Sequence, residues 1–233
     1  MINIMIMRNI NLFLLICVFL SSCNEERYSC NPEIDAWVKE NKTDIQLMTR
    51  SDWLELDPSV QRAAFVAFTT QQKVDFWKNR FEEALNLDWN QEEKEHILRL
   101  YDRLQDSPEW FEMEKSEKVW TDFECYMFEW MDIAEEQLGW DKYQLYMLVA
   151  SGERFKDKYT LEGEMDTVVV TEPRIATRSE SGGDLKNCTC SQESDWCSTL
   201  TLRQKCKADR CKDTSGCGTF FIHDCDGLCH VDL

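Results

Sequence analysis

The sequence predicts a mostly α-helical protein that ends in a small, irregular, disulfide-rich module. Helix-capping patterns and apolar stripes at helical spacing fill residues 33–155, while eight of the twelve cysteines crowd between Cys188 and Cys229. Between these regions, residues 156–186 lose the helical period and turn polar. The chain has 233 residues, 43% of them hydrophobic and four of them proline, which excludes a collagen-like or broadly disordered protein. Its net charge of −18 is opposite to what phosphate neutralisation needs, so no nucleic-acid partner is expected.

The helical part is punctuated clearly. Asp57-Pro58 and Ser107-Pro108 each place a capping side chain before a proline at the first helical position. Thr69 with Gln72, and Asn90 with Glu93, have capping-box spacing, and Gly139 and Gly152 suit helix ends. Val74, Trp77, Phe81 and Leu85 make one apolar stripe, and Ile97, Leu100, Tyr101 and Leu104 another. A third runs through Trp120, Phe123, Met127, Trp130, Met131, Ala134 and Leu138. Eight of the nine tryptophans lie in this region, and at helical spacing they read as core rather than as a ligand cage.

Cys125 falls opposite the third stripe, beside Asp122, Glu129, Asp132 and Glu136. It is either a surface thiol or the partner of Cys30, and a Cys30–Cys125 bridge is a candidate. His96 sits among charges and reads as solvated. The region holds no His-Glu-x-x-His motif, phosphate-binding glycine loop or Gly-x-Ser-x-Gly elbow, so no enzyme activity, catalytic residue or cofactor is expected.

The first 22 residues read as an export signal. Arg8 precedes an apolar run of nine, Leu12 to Leu20, too short to span about 30 Å of hydrocarbon. Leu20-Ser21-Ser22-Cys23 resembles the lipobox of bacterial lipoproteins, which implies lipidation of Cys23 and an outer-membrane anchor. Asn24-Glu25-Glu26 resembles the acidic signal that sends lipoproteins of the Bacteroidetes to the cell surface. Residues 23–32 are then a tether, 33–155 the helical domain, 156–186 a linker and 187–233 the cysteine-rich module. In the linker, Val168-Val169-Val170 suggests one short strand, and Ser181-Gly182-Gly183 is a composition open to proteases. Cleavage by a processing protease after Gly183 or after Lys186 is admissible.

Export makes disulfides the first reading of Cys188, Cys190, Cys197, Cys206, Cys211, Cys217, Cys225 and Cys229. A segment of 47 residues lacks the area for a sufficient apolar core, and bridges would supply the missing stability. Sequence alone does not choose among the pairings. Zinc would use Cys188 with Cys190 and Cys225 with Cys229-His230, near His223; the absence of two-residue Cys-x-x-Cys knuckles disfavours it, and no metal is expected. Asn187-Cys188-Thr189-Cys190-Ser191, Ser194-Asp195-Trp196-Cys197, Leu200-Thr201 and Gly216-Cys217-Gly218-Thr219 resemble the fulvocin C-related bacteriocin family. The whole architecture, from lipobox to cysteine-rich end, is similar to members of that family in the Bacteroidetes. Later cysteine spacings differ, and the chain ends Cys229-His230-Val-Asp-Leu rather than in an aromatic run.

The resemblance implies antagonism between bacteria, with a stapled peptide acting on a target-cell envelope after release or on display. The competing expectation is an anchored surface protein whose tail is a non-toxic binding module. Arg203 to Lys212 carries five basic residues and one acid. Beside Leu200, Leu202, Phe220, Phe221 and Ile222 it forms a face that would approach an anionic membrane, the alternative being a solvated loop.

Overall fold

The computed structural model describes residues 26–162, 188–200, 204–209 and 214–231. It is mostly helical, with a C-terminal strand region held by disulfides. Cys23, the processing candidates Gly183 and Lys186, Cys211 and the strand expected at Val168–Val170 lie outside the described residues.

The helices are α1 (Pro32–Ile45), α2 (Arg50–Leu54), α3 (Pro58–Ala67), α4 (Thr70–Leu85), α5 (Gln91–Asp106), α6 (Glu117–Glu136) and α7 (Lys142–Val149). Their starts follow local chemistry. Asn31 caps α1 ahead of Pro32, and Asp57 caps α3 ahead of Pro58. The Thr69/Gln72 and Asn90/Glu93 capping boxes both form, joined by Thr49/Asp52 and Asp141/Gln144. Ser107-Pro108 differs: it opens only a 3-10 turn, Pro108–Phe111, and Ser107 makes no side-chain cap. Gly139, at φ 71°, ends α6 in the left-handed region as glycine allows. Gly152 serves another purpose, since a Cβ there would stand 2.6 Å from the Trp53 ring.

The core is one aromatic cluster. Phe123, Met127, Trp130 and Ala134 of the third stripe point inward, while Cys125 is exposed on the opposite face. Each of the six buried tryptophans donates its indole N–H: Trp53 to Gln61 O, Trp77 to Phe220 O, Trp89 to Ala84 O, Trp110 to Asp122, Trp130 to His96 O and Trp140 to Glu93. None is left to address a ligand, as core packing requires. Arg80, fully buried, donates to Ser151 O at 3.1 Å and Met147 O at 2.7 Å, taking up carbonyls at the end of α7. Arg50 reaches Gly152 O, and both guanidinium groups share Glu83, at 2.7 Å and 3.5 Å.

Several boundaries shift from the sequence reading. Phe155–Asp157 (β1) and Thr160–Leu161 (β2) form an antiparallel hairpin where the linker was expected to begin. Phe155 and Leu161 are buried, so the packed unit runs to Leu161. At the other end Tyr28, Ser29 and Cys30, expected in a loose tether, are buried, and Tyr28 N donates to Asp35 at 2.7 Å. Cys30 and Cys125 do not pair. The Cys30 sulfur lies 3.4 Å from Thr214 Oγ1 of the cysteine-rich segment.

The cysteine-rich segment contains a short helix, α8 (Cys197–Leu200), and strands β3 (Gln204–Ala208), β4 (Ser215–Cys217), β5 (His223–Asp224) and β6 (Gly227–Val231). β3 pairs antiparallel with β6, and β4 with β5. Between β4 and β5 the 3-10 turn Thr219–Phe221 drives Phe220 and Phe221 into the helical core. The expectation that Phe220, Phe221 and Ile222 form a membrane-facing patch is therefore overturned: they are 0%, 6% and 8% exposed. An existing aromatic core takes up this apolar run more favourably than water does.

Phe220→Ala should destabilise the protein by about 3–5 kcal/mol, as cavity-forming core substitutions do. Urea unfolding followed by tryptophan fluorescence measures this, because the helical part holds most of the tryptophans. A loss under about 1 kcal/mol, the scale of surface substitutions, would contradict the packing described.

Candidate functional site: the seam between the helical core and the cysteine-rich segment

The wedge is built from unusual backbone. Phe220 and Phe221 have φ of 54° and 56°, a region that costs an L-residue about 1–3 kcal/mol unless its surroundings hold it there. The surroundings are the core itself. Phe220 meets Trp77 edge-on at 4.9 Å, with Phe81, Phe111 and Phe123 at 6.1–6.2 Å. Phe221 stands 5.3 Å from Phe65 and 5.2 Å from Trp77. The Trp77 indole donates to Phe220 O at 3.2 Å, satisfying a carbonyl that the turn leaves buried.

The motif residues of the cysteine-rich segment position this wedge. Gly216 (φ 115°) and Gly218 (φ 66°) take conformations that side chains avoid. A Cβ on Gly218 would also come 2.6 Å from Ser194 and 2.8 Å from His223. Thr219 N donates to Ser194 Oγ at 2.9 Å, and the Trp196 indole reaches both Ser194 and Thr219 hydroxyls at 3.2 Å. Asp195 accepts from Cys197 N at 2.8 Å and from Cys206 N at 3.0 Å. Ser194-Asp195-Trp196-Cys197 and Gly216-Cys217-Gly218-Thr219, separate in sequence, thus brace each other.

Three bridges are described: Cys190–Cys206, Cys197–Cys229 and Cys217–Cys225. Cys188 is also disulfide-bonded. Sulfurs of Cys190, Cys197 and Cys206 lie within 4.8 Å of one another, but all three are oxidised. The cysteines of the zinc alternative, Cys188, Cys190, Cys225 and Cys229, are likewise all in disulfides.

Two histidines are buried, His96 against its solvated reading. His96 is 1% exposed, stacked on Trp130 at 4.6 Å. Its Nε2 lies 2.9 Å from Trp130 O, while Nδ1 faces Arg99 at 3.0 Å. Both contacts are satisfied by the neutral ring with its proton on Nε2, and burial holds its pKa at about 4. His223 lies at the seam, its ring 5.0 Å from Trp120 and 5.9 Å from Phe123. Among the described residues its Nδ1 makes no hydrogen bond, and Glu193 is 3.9 Å away. Burial, with the nearby Lys115 cation, holds His223 at about 4 as well. Burial also lowers Lys115 to about 8.

Arg62 of α3 crosses the seam too. Its Nη1 donates to Thr189 O and, at 3.4 Å, to Cys217 Sγ. Sequence reading missed Arg62 because a lone arginine in an apolar helix carries no motif. It misassigned Phe220-Phe221 because the helical residues that receive them lie about 100 to 155 positions earlier.

Two imidazoles held neutral by the fold bind fewer protons than they do unfolded, so stability falls as pH drops from 6.5 towards 4. The effect is on the order of 2 kcal/mol per histidine. Urea midpoints across this range should fall with pH, and His223→Leu should reduce the slope; an unchanged slope would contradict a buried neutral His223. No family model matches the chain, and no curated protein or solved structure matches it either.

Proposed function

We propose that the chain is an exported, lipid-anchored envelope protein that displays its cysteine-rich segment in place on the helical core. The observation that supports this reading is the burial of Phe220 and Phe221 among Phe65, Trp77, Phe81, Phe111 and Phe123. Release after a cut in the linker would withdraw both rings from the core and expose them to water. That opposes shedding by about 1.5–3 kcal/mol for each ring. Export and anchoring rest on the lipobox-like Leu20–Cys23 and on the disulfides, which persist in oxidising compartments.

The displayed surface suits an anionic partner. β3 carries Lys205 and Lys207, and both are exposed. This local positive charge stands out in a chain of net −18, and a target-cell envelope is a partner of the right sign. Antagonism of neighbouring bacteria, which the family resemblance implies, would then act by contact from the anchored chain. A released toxin is the second reading, favoured by the polar Ser181-Gly182-Gly183 linker.

The test is metabolic labelling with a palmitate analogue, with a C-terminal epitope followed in cells and medium. The full-length chain should be labelled and membrane-bound, and Cys23→Ser should lose both properties. A growth-inhibitory fragment of the tail alone in the medium would overturn the reading.

A further inference from the structure

A cavity of about 230 Å³ opens at the seam where the N-terminal segment, the start of α3 and the cysteine-rich segment meet. It exceeds the roughly 150 Å³ that holds a benzene ring and falls short of the roughly 300 Å³ where pockets for drug-sized ligands begin. An amino-acid-sized molecule fits that range. No acidic side chain lines it among the described residues, although the chain carries 44 of them.

Arg62 is the cation in its wall. Elsewhere Arg50 and Arg80 meet Glu83, and Arg103 meets Asp122, but Arg62 meets no carboxylate among the described residues. Both of its protein hydrogen bonds leave from Nη1. The Nε–H and Nη2–H edge remains, and that edge has the spacing to meet both oxygens of one carboxylate. The hydroxyls of Thr189 and Ser215, which make no hydrogen bond within the described residues, line the same cavity. Tyr28, Pro58 and Ala63 supply apolar wall for the body of a ligand. A cation left without a counter-ion at a half-buried position is costly, and a bound anion would offset that cost.

We infer that this cavity is a binding site for a small carboxylate ligand, with the Nε/Nη2 edge of Arg62 gripping the carboxylate and Thr189 and Ser215 orienting it. The carboxylate comes from a free organic acid or from the C-terminus of a peptide, and both present the same planar group. Because the ligand would touch helix α3, the loop at Thr189 and strand β4 at once, it would also tighten the seam. The site is independent of where the protein is displayed.

Calorimetric titration of the oxidised full-length protein in detergent tests this, with propionate, Ala-Ala, Ala-Ala amide and inorganic phosphate as probes. Saturable binding of propionate or Ala-Ala is expected, with the amide at least tenfold weaker. Equal affinities for propionate and Ala-Ala identify a free acid, and a tenfold preference for Ala-Ala identifies a chain end; each supports the site. Arg62→Gln should weaken binding at least tenfold. Thr189→Phe keeps Arg62 and fills the mouth, so it should abolish binding without lowering the melting temperature. Absence of saturable carboxylate binding, a preference for phosphate, or wild-type affinity in either variant would overturn the inference.

Discussion

Two consecutive phenylalanines in the left-handed region are a backbone arrangement that L-residues avoid, and here they sit at the centre of the molecule. The conformation persists because the rings it delivers fill a socket of Phe65, Trp77, Phe81, Phe111 and Phe123 that nothing else fills. Burying a phenylalanine side chain stabilises by about 1.5–3 kcal/mol, enough to offset a backbone cost of similar size. The helices without the wedge have a hollow core. The cysteine-rich segment without the helices has an exposed aromatic pair.

The disulfides and the wedge divide the labour of ordering the segment. Cys197–Cys229 ties α8 to β6, Cys190–Cys206 ties the start of the segment to β3 of the β3–β6 pair, and Cys217–Cys225 closes the loop that carries the wedge. Cross-links limit the unfolded chain. They do not by themselves fix the segment's place on the helices. That comes from the buried rings, the Trp77 hydrogen bond to Phe220 O and the Arg62 contacts with Thr189 and Cys217. A stapled segment anchored in this way is a part of the fold more than a cargo carried by it.

Local chemistry was legible in the sequence and long-range partnership was not. Thr69 with Gln72 and Asn90 with Glu93 cap helices through contacts three residues apart, so spacing alone reveals them. The Phe123–Met127–Trp130–Ala134 stripe points inward because periodicity determines which face is apolar. His96 looked solvated because its neighbours in sequence are charged, whereas Trp130 and Trp140, from α6 and the loop after it, cover it. Of the two readings of Cys125, surface thiol and partner of Cys30, the first holds: Cys125 is exposed, and Cys30 is buried with its sulfur near Thr214 Oγ1. Arg62, Phe220 and His223 acquire their roles only when the two ends of the chain meet, and no spacing rule spans that distance.

The central claim is that helical core and cysteine-rich segment form one cooperative unit. Native-state hydrogen exchange under disulfide-intact conditions tests it most directly, by comparing the amides of Cys217 and Phe221 with those of Trp77 and Phe81 in α4. Equal opening free energies, falling in parallel with added denaturant, are the predicted result. Exchange of Cys217 and Phe221 through an opening that leaves α4 protected would contradict it.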